Sequence, residues 1–187
     1  MDIIDISTYR ATISQHQVPE VSRSDAPELD PAVWSPIPNL PAFRGKFEDR
    51  NPFNIPGPFY GAETDKCWTG PIEAPHNVMV DGDGHEFVYR QPTTIEGLQQ
   101  VIKAALCDPL RGYGADGDKH WNLRLIREWW WEMDHRLAQI EQLGITNNNT
   151  DECVSFSTTH AESYLRKYAF FIEHRRCPRP ADHLPKL

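Results

Sequence analysis

The sequence predicts an α+β fold, in which a small antiparallel β-sheet packs against about three C-terminal helices and an extended proline-rich arm precedes the sheet. Three observations predict this arrangement: prolines crowd the N-terminal third, a strand–turn–strand pattern follows, and helical periodicity dominates the remainder. The length favours a single domain over residues 1–187. We divide this domain into the arm (1–60), a loop with a hairpin (61–92) and a helical part (93–187).

The proline-rich arm is expected to be extended and wrapped over the domain. Nine prolines between residues 19 and 58 exclude regular helix from most of that stretch. The arm also carries many large apolar side chains, which distinguishes it from a typical disordered linker. These side chains are Trp34, Leu40, Phe43, Phe47, Phe53, Ile55, Phe59 and Tyr60.

The clearest strand pattern lies at residues 77–90, with the sequence NVMVDGDGHEFVYR. Val78 and Val80 lead into a turn-rich stretch at residues 81–84, and a second apolar run follows at residues 87–89. Aspartate and glycine favour tight turns between two such runs. The pattern therefore predicts a β-hairpin.

Two capping boxes predict where helices begin after the hairpin. The first, Thr93 with Glu96, starts a helix of about three turns that Pro109 ends. The second, Thr159 with Glu162, starts the last helix. The expected buried stripe of that last helix is Ala161, Tyr164, Leu165, Tyr168 and Ile172.

The longest helical pattern covers residues 119–142, and Asp116 or Asp118 is its expected N-terminal cap. Gly144 is expected to end it, and the polar residues 146–151 to connect it to the last helix. Its expected core stripe is Ile126, Trp130, Met133, Leu137 and Ile140, with Leu125 and Trp129 widening one edge.

Three consecutive tryptophans, Trp129, Trp130 and Trp131, fall within this long helical pattern. Successive residues of a helix are about 100° apart, so three indoles cannot share one seam. If Trp130 belongs to the core stripe, Trp129 shares the side of Leu125 and Trp131 faces away. Trp131 is therefore the candidate surface aromatic, covered by the arm or available to a partner.

The charge pattern is acidic and uneven. Aspartate and glutamate outnumber lysine and arginine by 27 to 19, giving a formal charge of -8. Residues 51–118 hold ten of the acids and four of the bases, whereas residues 119–187 are close to neutral. This balance argues against a nucleic-acid-binding surface and suits a basic partner, although a solvated acidic face also maintains solubility.

The N-terminal sequence has neither the basic start nor the apolar run of a signal peptide, and no stretch is apolar enough for a membrane helix. The four cysteines lie far apart with no CxxC pair, which fits free thiols in a reducing compartment. We therefore expect a cytoplasmic protein that does not contact membranes.

These observations favour a binding protein over an enzyme. We expect a monomer or weak homodimer, without metal or cofactor, that occludes a basic protein, as bacterial immunity proteins and antitoxins do to toxins. Acidic side chains would accelerate the encounter, and aromatic side chains buried in the contact would slow dissociation. The expected contact residues are Trp131, Asp81, Asp83, Glu86, Asp116 and Asp118.

The alternative is a small enzyme, in one of two forms. In a hydrolase or transferase, Cys67 would be the nucleophile, with His76 or His85 as base and Asp65 as the orienting group. The ordinary explanation of Cys67 is a packed small apolar residue.

The second enzymatic form is a metal-dependent hydrolase. Its ligands would be Asp81, Asp83, His85 and Asp116, provided that the two Asp-Gly-Asp loops converge. Turn formation and helix capping explain the same residues without a metal ion.

Overall fold

The computed structural model describes residues 41–142 and 148–187, and residues 1–40 of the expected arm lie outside this description. Over the described ranges the fold is α+β, with four short strands and six α-helices, more helices than the sequence predicted. The strands are β1 (Tyr60–Gly61), β2 (Val78–Val80), β3 (Glu86–Val88) and β4 (Tyr113–Gly114). The helices are α1 (Thr69–Glu73), α2 (Ile95–Cys107), α3 (Leu123–Trp131), α4 (Met133–Gln142), α5 (Asn148–Thr159) and α6 (Ala161–His174).

The strands form two small antiparallel sheets. β2 and β3 make the predicted hairpin, and all of their residues are buried, so both faces of the hairpin are covered. β1 and β4 pair although they are far apart in the sequence. Two-residue strands carry no alternation of apolar and polar residues, which is why the second sheet was not predicted.

The described part of the arm, residues 41–60, forms together with Gly61 an extended segment (41–61) that packs against the rest of the molecule. It contains one 3-10 turn, at Phe47–Asp49, and no α-helix. Phe59 and Tyr60 are buried in the main core. The hydroxyl of Tyr164 on α6 donates a hydrogen bond of 2.9 Å to the carbonyl of Pro56, so the last helix also holds this segment.

The buried side chain of Asn54 joins this segment to both sheets. Its Oδ1 accepts hydrogen bonds from the N–H groups of Gly61 in β1 and Val88 in β3, each at 2.8 Å. Its Nδ2 donates to the carbonyls of Asn51 (2.6 Å) and Gly61 (2.7 Å). Buried backbone groups must find partners, and here one side-chain amide supplies them in place of a regular strand ladder.

Gln91 supports the same segment nearer its C-terminal end. Its Nε2 donates to the carbonyls of Ile55 (3.3 Å) and Phe59 (2.8 Å), and its Oε1 accepts from the N–H of Phe59 at 3.2 Å. A Cβ atom at Gly57 would lie 2.3 Å from the side chain of Gln91. Glycine at position 57 therefore leaves room for this buried amide.

The first predicted helix is confirmed as α2, with a small change at its start. The N-cap is Thr94 and not Thr93: the hydroxyl of Thr94 accepts a hydrogen bond of 3.0 Å from the N–H of Gly97. The helix ends at Cys107, two residues before Pro109, because proline cannot continue a helix.

The long helix predicted over 119–142 is wrong as a single element, since it breaks at Glu132 into α3 and α4. At this break, the carbonyl of Trp129 accepts a hydrogen bond from a side chain: the guanidinium of Arg136 donates to it at 2.7 Å. Arg136 also forms an ion pair with Glu132 at 2.6 Å. One arginine of α4 therefore bonds both a carbonyl near the end of α3 and the residue at the break.

The cap of this region also differs from the prediction. Asn122 caps α3 by accepting a hydrogen bond from the N–H of Leu125 at 3.0 Å, whereas Asp116 and Asp118 bind tyrosine hydroxyls elsewhere. Asn122 is in extended geometry directly before the helix, which is the position that an N-cap requires.

The three consecutive indoles have three different environments. Trp129 is buried and donates its Nε1 proton to the carbonyl of Pro52 at 3.2 Å. Trp130 is half-buried at the edge of the core, and Trp131 is exposed. The expectation that Trp130 leads the core stripe is thus corrected: Trp129 is the more deeply packed of the two.

The sequence also missed α5, which includes residues 148–151 of the predicted polar connection, whereas the expected helix end at Gly144 lies outside the described residues. Because α5 continues to Thr159, the second capping box is not formed, and the hydroxyl of Thr159 donates to the carbonyl of Ser155 at 2.6 Å. α6 begins at Ala161 instead. Its predicted stripe is nevertheless confirmed, since all of the following residues are buried: Ala161, Tyr164, Leu165, Tyr168 and Ile172.

The main hydrophobic core combines side chains from the 41–61 segment, both sheets and α2, α3 and α6. Met79, Phe87 and Tyr89 pack instead with Ile140 and Cys153 in a smaller cluster under α4 and α5. None of the helices in the described ranges is both long enough and apolar enough to cross a lipid bilayer.

We expect Asn54→Ala to lower the free energy of unfolding by about 3 kcal/mol, because it leaves several buried backbone groups without partners. Asn122→Ala is the matched control and should cost about 1 kcal/mol, the usual value for an exposed N-cap. Urea denaturation of both variants measures the difference. Equal losses would contradict the role assigned to Asn54.

Candidate functional site

Four large apolar side chains are exposed on α1 and around the end of α2, two elements that pack against each other. The exposed fractions are 47% for Trp68, 75% for Ile72, 56% for Leu106 and 64% for Leu110. We call this group the apolar face. Single exposed apolar residues are common, but several on neighbouring segments indicate an interaction surface.

Asp108 fixes the chain around the apolar face. Its carboxylate accepts hydrogen bonds from three backbone N–H groups, of Asp65 (3.2 Å), Leu110 (3.0 Å) and Gly112 (2.6 Å). The bond to Asp65 holds the loop that precedes Trp68 against the end of α2. The apolar face is therefore built on a supported backbone.

A second contact joins the two helices directly. Lys103 on α2 forms an ion pair of 2.5 Å with Glu73, the last residue of α1. Its ammonium group is largely exposed, so the pair adds little stability but orients the two helices. Trp68 precedes α1 with a φ of 60°, a left-handed conformation that is uncommon for a bulky residue.

Sequence reasoning missed the apolar face, although part of its signal was present. The inward residues of α2 are Leu98, Val101, Ile102, Ala104 and Ala105, and helical phase places Leu106 outside that stripe. Ile72 and Leu110 lie in a five-residue helix and a turn, where no periodicity distinguishes exposed from buried apolar residues.

Glu86, an expected contact residue, is fully buried and this expectation is wrong. Its Oε1 accepts from the N–H of Gly70 at 2.7 Å and its Oε2 accepts from the hydroxyl of Tyr113 at 2.6 Å. Burial raises the pKa of Glu86, and the two hydrogen bonds only partly oppose this shift. Glu86 therefore binds groups inside the fold and is not available to a partner.

Asp81 closes the hairpin turn. Its Oδ1 accepts from the N–H groups of Asp83 and His85, both at 2.9 Å, and its Oδ2 accepts from the amide of Asn51 at 2.6 Å. Both oxygens are thus engaged within the fold. The side chain of Asp83 remains exposed at the tip of the turn.

Asp116 and Asp118 each bind a tyrosine hydroxyl from the core. Tyr60 donates to Asp116 at 2.7 Å, and Tyr168 donates to Asp118 at 2.6 Å. Partial burial opposes ionisation of Asp116, but hydrogen bonds from Tyr60 and His120 outweigh it and lower its pKa. Burial dominates at Asp118 and raises its pKa.

Trp131 is 81% exposed at the C-terminal end of α3. It lines an open groove with exposed charged residues of the same helix and with Leu123. Arg124 and Glu128 in this groove pair with each other at 2.5 Å. Trp131 and the apolar face are thus carried by different helices.

Of the Cys67 site expected for the enzymatic alternative, the structure brings Asp65 to the thiol but engages His76 elsewhere. Cys67 is exposed, but a hydrogen bond to Asp65 and the charge of that carboxylate raise the pKa of the thiol. His76 pairs with Glu152 at 2.7 Å and not with the thiol. Asp65 therefore opposes formation of the thiolate that a nucleophile requires.

The Asp-Gly-Asp loops do not assemble the expected metal ligands either. Across residues 41–142 and 148–187, no three His, Cys, Asp or Glu side chains are grouped as a metal site. The oxygens of Asp81 and Asp116 are engaged in the hydrogen bonds described above.

Comparison of the chain with protein-family models, with curated proteins and with solved structures found no match.

We expect Asp65→Asn to accelerate alkylation of Cys67 by iodoacetamide near pH 8, because removing the carboxylate charge lowers the pKa of the thiol. Cys107, which is also exposed, is the internal reference and should react at an unchanged rate. Peptide mass spectrometry over time gives both rates. An unchanged rate at Cys67 would show that Asp65 does not control this thiol.

Glu86→Gln should gain stability relative to the wild type as the pH rises. A carboxyl group whose pKa is raised by folding stabilises the protein below its ordinary pKa of 4.5, and this contribution is lost as the pH passes the folded value. The difference in unfolding free energy, variant minus wild type, should therefore increase as the pH rises above about 4.5. The exposed Glu96→Gln is the control and should show no such increase in urea denaturation.

Proposed function

We propose that this protein is a non-catalytic, cytoplasmic protein-binding protein, and that it occludes a basic partner through the apolar face. The observation that carries the proposal is the joint exposure of Trp68, Ile72, Leu106 and Leu110, which lie on or beside two helices that pack against each other. An immunity-type or antitoxin-type inhibitor is the form that we favour.

The apolar face suits a protein contact because its backbone is already ordered. The three hydrogen bonds to Asp108 hold the backbone around the face before any partner arrives. A preorganised surface loses less conformational entropy on binding than a flexible one. Apolar side chains at the centre of such a contact would exclude water.

The net charge of -8 favours a basic partner over an acidic one. The structure changes the origin of this attraction, however. Of the five acidic residues expected to contact the partner, four are engaged in hydrogen bonds within the fold and Asp83 is exposed. Electrostatic steering would therefore come from the overall field of the molecule and less from a local patch.

The proposal predicts that a photo-crosslinking amino acid at position 72 captures one partner in cells that make the protein. The same amino acid at the exposed position 96, at the start of α2, is the matched control and should give no adduct. Mass spectrometry identifies the adduct, which should be a basic protein in stoichiometric amount.

A double variant, Ile72→Glu with Leu110→Glu, should bind the purified partner at least about tenfold more weakly, since it places charge in an apolar contact. Trp131→Ala should leave the affinity unchanged. The association rate of the wild type should fall as salt is added. Equal binding by the double variant, or loss of binding only with Trp131→Ala, would reject the apolar face as the contact.

A further inference from the structure

Within residues 41–142 and 148–187, nothing covers the apolar face, whose four side chains are 47% to 75% exposed. Several large apolar groups exposed together are typical of a contact surface. Residues 1–40 precede the described part of the chain and are joined to it at Pro41. The position of Pro41 therefore determines which surfaces these residues can reach.

Pro41 lies beside the apolar face. Its carbonyl accepts a hydrogen bond of 3.4 Å from the guanidinium of Arg111, the residue that follows Leu110. The N–H of Arg44 also donates to the carbonyl of Arg111, at 3.1 Å. Ten residues of extended chain span at most about 35 Å, so residues 31–40 are long enough to lie across the face.

The sequence of residues 31–40, PAVWSPIPNL, favours the polyproline II conformation. Its prolines exclude a regular helix, and it carries no charged residue. A polyproline II helix has three residues per turn, so every third position lies on the same edge. One edge is apolar throughout, with Pro31, Trp34, Ile37 and Leu40.

The apolar face offers the kind of surface that such a segment binds. Proline-rich segments in the polyproline II conformation dock on exposed aromatic side chains, and Trp68 supplies an exposed indole on this face. The aliphatic side chains of the face would contact the rest of the apolar edge. Proline also restricts the backbone before contact, so docking costs less conformational entropy than it would for a flexible peptide.

The charges next to the face complement the residues that precede this segment. Lys66 and Arg111 lie within two residues of the face and are exposed. Neither forms an ion pair with a carboxylate of the described residues, whereas Lys103 pairs with Glu73. Residues 24–30 hold no basic residue and three acidic ones, Asp25, Glu28 and Asp30. This acidic stretch is therefore attracted to the two unpaired cations.

We propose that residues 31–40 dock on the apolar face in the free protein, with their apolar edge against Trp68 and its aliphatic neighbours. A partner then reaches the face only by displacing this segment, so its apparent affinity falls by the fraction of molecules in which the face is open. This regulation rests on the proposed function, which makes the apolar face the partner's contact. The docking itself concerns the chain alone.

The test places a photo-crosslinking amino acid at position 106 of the purified full chain, without a partner. Irradiation should join position 106 to the tryptic peptide of residues 24–44 in a product of monomer mass, and mass spectrometry identifies the adduct. The same amino acid at position 131 is the matched control, because Trp131 is also exposed but lies on α3. It should give no adduct with that peptide.

Trp34→Ser with Ile37→Ser should lower the yield of the adduct about fivefold or more, because two apolar side chains of the docking edge are lost. Ala32→Ser with Val33→Ser is the matched control, since both residues lie on other edges of the same segment, and its yield should equal that of the wild type. Trp34→Ala replaces the first double variant if that variant does not fold.

The proposal is overturned if position 106 gives no adduct with residues 24–44, or if position 131 gives it in equal or higher yield. A product of dimer mass would also overturn it, by making a second copy of the chain the occupant, and so would equal yields from the edge variant and its control. A partner captured at position 72 without an adduct at position 106 would support the proposed function and reject the docking. The reverse result would support the docking and reject the proposed function.

Discussion

The fold depends on how the extended segment of residues 41–61 satisfies its buried backbone groups. This segment is rich in proline and makes few ladder hydrogen bonds, so its N–H and carbonyl groups cannot pair as they would in a strand. Buried side chains take over this task, chiefly the amides of Asn54 and Gln91. Each amide contacts parts of the chain far from itself, so the sheets and the segment are stabilised together.

Several acidic residues likewise accept hydrogen bonds from groups inside the fold. Asp108 accepts from three backbone N–H groups, Asp81 closes the hairpin turn, and Glu86 and Asp118 accept from buried tyrosine hydroxyls. Carboxylates are strong acceptors, which makes them effective where a loop-rich fold has many orphan donors. Much of the negative charge in residues 51–118 is therefore structural, and it constrains which surfaces remain for a partner.

Sequence periodicity identified the elements that are long or strongly patterned. The hairpin, α2 and the buried stripe of α6 could be predicted because local propensity and burial agree there. The break at Glu132 could not, since Arg136 replaces the lost helical hydrogen bond through its side chain. Likewise, residue counting gives the charge of a segment but does not show whether Glu86 faces solvent or a tyrosine. The exposure of Trp131 followed from helical phase, whereas the apolar face depends on α1, which is too short for a pattern.

The hydrogen bond between Tyr164 and Pro56 bears on how the chain folds as it is synthesised. The carbonyl of Pro56 meets its partner only after the last helix has left the ribosome, and β1 must wait for β4. Contacts between residues so far apart are slow to form because a large loop must close first. Phe59 and Tyr60 therefore cannot be fully buried until β4 and the last helix have been made. The packing of this segment is therefore completed late in synthesis, although its bonds to the hairpin region through Asn54 and Gln91 can form earlier.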